Sequence, residues 1–178
     1  MKKILAFAGS NSSTSINHEF ITHIANRING HDIKIIRLLE YDIPMFSVDK
    51  ESANGFPLDI QVIKNLISEH DALMISVNEH NGAVSAFFKN ILDWLSRLDK
   101  NFLADKKILL VSTSPGARGA ASSLEYTKGI LSRFGGQVIE SFSFPSFNDN
   151  FDNDTVQNEV LNMGIEDVLT TFAHEIED

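Results

Sequence analysis

Ile4-Leu5-Ala6-Phe7-Ala8-Gly9-Ser10-Asn11-Ser12-Ser13-Thr14-Ser15-Ile16-Asn17 is the stretch on which the fold turns. Its first five residues are apolar without alternation, the pattern of a parallel strand buried on both faces. Glycine, hydroxyls and amides follow, and then Ile16, Phe20, Ile24 and Ile28 recur at helical spacing, with Gly30 as the expected stop. Strand, polar loop and helix in that order are the opening unit of a doubly wound α/β sheet.

The rest of the chain repeats the unit. Further strands are expected at 33–39, 72–77, 107–113 and 137–142. Helices are expected from 58, from about 84 to 98, up to about 134, and at the end of the chain, where Asp154 and Gln157 read as a capping pair. Residues 40–57, carrying Pro44 and Gly55, read as a long exposed connection, and 143–153 as another. With no internal repeat and no break in composition, the 178 residues are expected to form a single domain. The expected architecture is a three-layer sandwich, with a five-stranded parallel sheet of order 2-1-3-4-5 and helices on both faces. Ligands of such sheets bind beyond the carboxyl ends of the strands, where the winding reverses. Loops 9–17, 77–82 and 113–119 should meet there.

Composition removes several classes of function. The chain has no cysteine, hence no disulfide, thiolate metal site or thiol nucleophile, and redox chemistry would have to come from a cofactor. A net charge of −9 argues against nucleic acid, which needs clustered Lys and Arg. The apolar run behind Lys2 and Lys3 is too short for a signal segment, and no stretch approaches the length of a membrane helix. The expected location is the cytoplasm, with no membrane partner. No metal site is expected. His18 and His23 are five apart and turn away from each other on a helix, so both read as surface residues. The acidic run at 148–154 lacks the glycine and first aspartate of a calcium loop.

The first loop is built for an anion. One helix cap needs one residue, whereas hydroxyls and amides fill this turn, and a monophosphate can be held by such neutral donors beside a helix N-terminus. Ser10, Ser12, Ser15, Ile16 and Asn17 are the candidates. No further glycines of a dinucleotide fingerprint and no P-loop lysine follow Gly9, so a mononucleotide terminus fits better than a pyrophosphate.

The second loop, Asn78-Glu79-His80-Asn81-Gly82, leads into a helix carrying Lys89, Asn90, Asp93, Trp94, Ser96 and Arg97. This run resembles the NADPH-dependent FMN reductase family, whose loop reads Pro-Glu-Tyr-Asn-Gly and whose next helix carries Lys-Asn-x-x-Asp-Trp-x-Ser-Arg. Gly9, Ser10, Ser15 and Asn17 fit the family's Gly-Ser-x-Arg-x-x-Ser-x-Asn. Ser114, Pro115, Gly116 and Gly119 fit its Ser-Pro-Gly-x-x-Gly.

The resemblance spans essentially the whole chain and implies a flavodoxin-like fold, FMN as cofactor, NADPH or NADH as co-substrate, and a homodimer or homotetramer. It implies an oxidoreductase passing a hydride to flavin N5 and then, in a ping-pong half-reaction, electrons to a small acceptor: a quinone, free flavin, azo or nitro compound, or metal oxyanion. No side chain would be a catalytic nucleophile or base. Ser10, Ser15 and Asn17 would hold the phosphate. Asn78, Glu79, His80, Asn81 and Gly82 would run along the flavin. Ser114, Gly116 and Gly119 would bring the third loop to the ring; Arg118, by its residue type and place, reads either as facing a nicotinamide phosphate or as a solvated loop arginine. The chain departs from the family at Ser12, Asn78 and His80, where Arg, Pro and Tyr are usual; the first departure removes a charge partner for the phosphate. The alternatives are a flavodoxin-like FMN carrier serving a protein partner, which the acidic charge suits, and a relative that has lost the flavin. The stripe Phe87, Ile91, Trp94 and Leu98 reads equally as core or as a homodimer face.

Overall fold

Leu5 and Phe7 pack into one apolar layer and Ile4, Ala6 and Ala8 into the other, which is why the first apolar run shows no alternation. These residues form β1 (Lys3–Ala8) in a computed structural model that describes residues 1–177. β1 is central. It pairs in parallel with β2 (Asp32–Arg37) on one side and β3 (Ala72–Val77) on the other.

The first helix, α1 (Ile16–Ala25), crosses between β1 and β2. After β2 come α2 (Val48–Asn54) and α3 (Leu58–Glu69), and after β3 a small hairpin, β4 (Glu79–His80) and β5 (Ala83–Val84). Then follow α4 (Ala86–Leu98), β6 (Lys107–Thr113), α5 (Ala121–Leu131) and β7 (Gln137–Phe144). The short helix α6 (Phe147–Asn150), a second hairpin of β8 (Phe151–Asp152) and β9 (Thr155–Val156), and α7 (Glu159–Glu177) complete the described residues. The main sheet runs β2-β1-β3-β6-β7, the expected 2-1-3-4-5 order with the two hairpins set aside.

α1 and α7 cover the face bearing Ile4, Ala6, Met74 and Leu109, and α3, α4 and α5 cover the face bearing Leu5, Phe7, Ile75 and Leu110. Burying each such large side chain contributes about 1.5–3 kcal/mol, so the two layers together dominate the stability. β7 joins both layers through a bulge. Ile108 pairs with Val138 but Leu109 pairs with Glu140, so Ile139 is the extra residue. The slip reverses the parity of the strand. Val138 packs with the α3/α4 layer, while Phe142 and Phe144, at even positions like it, pack with α1 and α7.

Several local expectations change. α1 stops at Ala25, five residues short of Gly30, and the positive φ of Gly30 serves the turn into β2 instead. Connection 40–57 holds α2, capped by Ser47 and closed by Gly55. α7 is opened by Asn158, whose Oδ1 accepts from Leu161 N, not by Asp154. Asn153 and Asp154 both have positive φ and form the turn of the β8–β9 hairpin. The last turn of α7 is held to the sheet, since Ile176 is buried and Lys107 Nζ donates to Glu175 O. Asp178 lies outside the described residues.

Trp94 is 1% exposed, and its Nε1 donates to Pro44 O at 2.8 Å. The apolar stripe of α4 is therefore core, centred on Ile91 and Trp94. Asn90 completes the clamp, donating to Pro44 O and accepting from Phe46 N. Lys89 pairs with Asp93 and Arg97 with Glu51. The helix motif thus fastens connection 40–57 to the sheet.

Candidate functional site

Beyond the carboxyl ends of β1, β3 and β6 the three polar loops enclose a cleft of about 270 Å³. From the first loop it is lined by Ser10, Ser12, Ser15, Ile16 and Asn17, from the second by Asn78, Glu79 and His80, and from the third by Ser114. Asn11, Thr14, Thr113 and Pro115 also line it; one motif skips the first two, another begins after Thr113, and Pro115, though part of that motif, has no role assigned by it. A larger depression of about 510 Å³ lies against α2, between Pro44, Phe56 and Trp94, and contains none of the residues expected to bind the cofactor.

Gly9 lets β1 turn sharply into the first loop. A Cβ there would lie 2.6 Å from the Phe88 ring, so α4 can approach only a glycine. Ser85, the cap of α4, holds this crossing by donating to Gly9 O at 2.9 Å while accepting from Phe88 N. Ser15 caps α1 by accepting from His18 N at 3.2 Å. Ser10 is nearly buried, and its Oγ accepts from Ser12 N; the Ser12 Oγ accepts from Thr14 N. The loop is a nest of turns made by its own hydroxyls.

Asn17 is turned inward and is 3% exposed. Its Oδ1 accepts from Ser76 Oγ at 2.8 Å and Thr113 N at 3.2 Å, and its Nδ2 donates to Thr113 O at 3.0 Å. The amide ties α1 to the tips of β3 and β6. That leaves Ser10, Ser12, Ser15 and the first N–H groups of α1 as the donors facing the cleft. Ile16 N and Asn17 N have no protein acceptor among the described residues.

The second loop is tied to the start of α5. Glu79 Oε2 accepts from Ser123 N at 3.0 Å, and Ser123 Oγ donates to Asn78 O at 2.8 Å. The Asn78 amide Nδ2 lies 3.1 Å from His80 Nε2, joining the two side chains along the cleft wall. Asn81 and Gly82 form the positive-φ turn of the β4–β5 hairpin and do not line the cleft.

The third loop contributes less than expected. Gly116 and Arg118 are exposed and outside the cleft, and Arg118 Nη2 donates to Ser122 Oγ at 3.1 Å. Gly119 is a glycine for a different reason. Its φ is +55°, and a Cβ there would lie 2.7 Å from the Phe144 backbone, so it serves contact with β7.

Unsatisfied polar atoms at the cleft suit a hydrogen-bonding ligand, while two others, His18 Nδ1 and Thr22 Oγ1, lie on α1 outside the cleft lining. Besides the free N–H groups of α1, Asn78 Oδ1 is buried without a partner. His18, in the first turn of α1, is half-buried with an unpartnered Nδ1. Burial, and then the Arg37 charge, hold its imidazole below the ordinary value of 6.5, partly opposed by Glu40. Neither His18 nor His23 is a plain surface group. His23 packs edge-on against Phe151 and pairs with Asp154 at 3.1 Å, fastening α1 to the β8–β9 turn.

Known proteins resemble the chain in family, in sequence and in fold. The family described as NADPH-dependent FMN reductase matches residues 2–149. A quinone reductase of Escherichia coli strain K12 is 31% identical over 129 residues, 72% of this chain and 69% of that protein. An NADPH:quinone oxidoreductase of Arabidopsis thaliana is 30% identical over 123 residues, 67% of this chain and 62% of that protein. Among solved structures, FerB, a flavoenzyme NAD(P)H:(acceptor) oxidoreductase from Paracoccus denitrificans, superposes with a TM-score of 0.83 at 23% identity, covering 99% of this chain and 98% of that one. At that identity the likeness shows the fold, and the fold is flavodoxin-like.

Proposed function

Because the chain belongs to the NADPH-dependent FMN reductase family, we propose that it passes electrons from NAD(P)H through FMN, held in the cleft of the three loops, to a small acceptor of quinone type. Free flavin, azo and nitro compounds and metal oxyanions are the further acceptor classes. The observation that carries this reading is the convergence, at the winding reversal between β1 and β3, of a neutral hydroxyl-rich loop and free helix N–H groups.

FMN, when bound, supplies the hydride-accepting and electron-passing chemistry that this cysteine-free chain does not offer. The protein binds and orients. Ser10, Ser12 and Ser15 with the N–H groups of Ile16 and Asn17 hold the phosphate, while Asn78, Glu79 and His80 form the facing wall. Asn17 positions the loop by pinning α1 to the tips of β3 and β6. The bonds from Ser123 hold the second loop rigid, and rigid donors need not reorganise during reaction. Acceptor and nicotinamide enter the same cleft in turn, in a ping-pong sequence. The whole chain acts as one FMN-binding domain in the cytoplasm, assembled as a homodimer or homotetramer. No helix among the described residues is long and apolar enough to cross a membrane.

The test is the visible spectrum of the purified, FMN-reconstituted protein before and after anaerobic addition of NADPH. The expected result is a set of flavin bands that bleach quickly. Retained flavin that stays oxidised would support the second reading, an FMN carrier whose acidic surface, net −9, docks a basic protein partner. Failure to retain any flavin would end both.

A further inference from the structure

From Gly9 to Asn17 the first loop carries no charged side chain, yet the ligand proposed for it brings a phosphate with nearly two negative charges. Neutral donors and a helix terminus supply only partial charges. A cation nevertheless reaches this loop from another element, at Ser13, which like Arg37 itself stands beside the cleft lining and not in it. Arg37 is the last residue of β2 and stands in register with Ala8, the last residue of β1. From there its Nη1 donates to Ser13 O at 3.2 Å.

The other contacts of Arg37 make this position informative. Arg27 and Arg97 pair with Glu166 and Glu51, whereas Arg37, like Arg118 and Arg133, belongs to no ion pair among the described residues, and of these three it is the one bonded to the first loop. A guanidinium has five N–H donors in a planar fork, so the bond to Ser13 leaves most of them for an anion. Its field also reaches the first turn of α1, where it disfavours a charged His18. Glu40 and Glu19 are the carboxylates on the adjoining segments, and neither bonds to Arg37.

We propose that Arg37 is the phosphate cation of this cleft, delivered from the tip of β2 across the Ser13 carbonyl, and that it sets the preference for phosphorylated over unphosphorylated flavin. The inference rests on the reading of the cleft as the FMN site. It explains how a loop with Ser12 in place of an arginine retains a charged partner for the phosphate. The bond to Ser13 also orders the loop before ligand arrives, so that binding immobilises fewer groups.

The experiment is a fluorescence titration of the full-length, flavin-stripped protein with FMN and with riboflavin, for the wild type and Arg37→Gln, at low and at moderate ionic strength. The wild type should prefer FMN strongly. Arg37→Gln should weaken FMN binding about tenfold or more, leave riboflavin binding unchanged, and flatten the salt dependence of FMN binding. Unchanged FMN binding in the variant overturns the role of Arg37 but leaves the cleft reading intact. Equal losses for both ligands also overturn it, since they mean that Arg37 only shapes the loop. A wild type that binds the two ligands equally overturns the phosphate reading itself.

Discussion

Ser15 and Asn17 stand two residues apart at the start of α1, and the structure gives them different work. Ser15 caps the helix with its Oγ at the rim of the cleft, while Asn17 spends its amide on Ser76 and Thr113. Replacing Asn17 by Ala leaves the Thr113 N–H, the Thr113 carbonyl and the Ser76 hydroxyl buried without this partner. The expected cost is about 2–4 kcal/mol, read as a lower urea midpoint for the apoprotein, with the ratio of FMN to riboflavin affinity unchanged. A collapse of that ratio at unchanged stability would make Asn17 a ligand and this account wrong. The amide's dual use was not legible in sequence, because the motif fixes which residue stands there but not which way it turns. Gly119 teaches the same lesson. A glycine in a loop beside a proposed ligand invites a ligand explanation, but its Cβ direction is filled by β7.

At the scale of elements, legibility followed burial. β3 and β6 were readable to the residue because both faces are covered and the apolar run has no gap. α2 was not, since none of its residues is buried and no periodic apolar pattern marks it. The β4–β5 and β8–β9 hairpins were missed because two-residue strands carry no alternation, although Asn81-Gly82 is a strong turn signal. The site was legible as a meeting of loops, since strand order alone brings 9–17, 77–82 and 113–119 together. How far each loop reaches into the cleft was not: the second lines it only through 78–80 and the third only through 113–115. The start of α7 offers a direct check. Asn158→Ala should cost about 1 kcal/mol, because the Leu161 N–H loses its acceptor. Asp154→Ala should leave that helix start intact and weaken only the pairing with His23. Guanidinium melts monitored by helical circular dichroism would show it, and a larger loss for Asp154→Ala would return the cap to the hairpin turn.

For the molecule as a whole, pH sets two opposing trends. A chain with net charge −9 and an isoelectric point near 5.0 sheds self-repulsion as the pH falls from 8, which favours the folded state. His18 works the other way. Burial and the Arg37 guanidinium lower its folded pKa beneath 6.5, so between that folded value and 6.5 the unfolded chain binds more protons. The stability contributed by a neutral His18 is therefore complete above 6.5 and is lost as the pH falls through the folded pKa. His18→Gln removes this linkage and keeps the general charge effect. Urea unfolding of both proteins at pH 8 and pH 5.5 should show the variant gaining stability relative to the wild type on acidification. Parallel changes in the two proteins would mean that His18 is as easily protonated folded as unfolded. Burial, the larger cause of the lowering, and with it the smaller effect of Arg37, would then be offset by the opposing charge of Glu40.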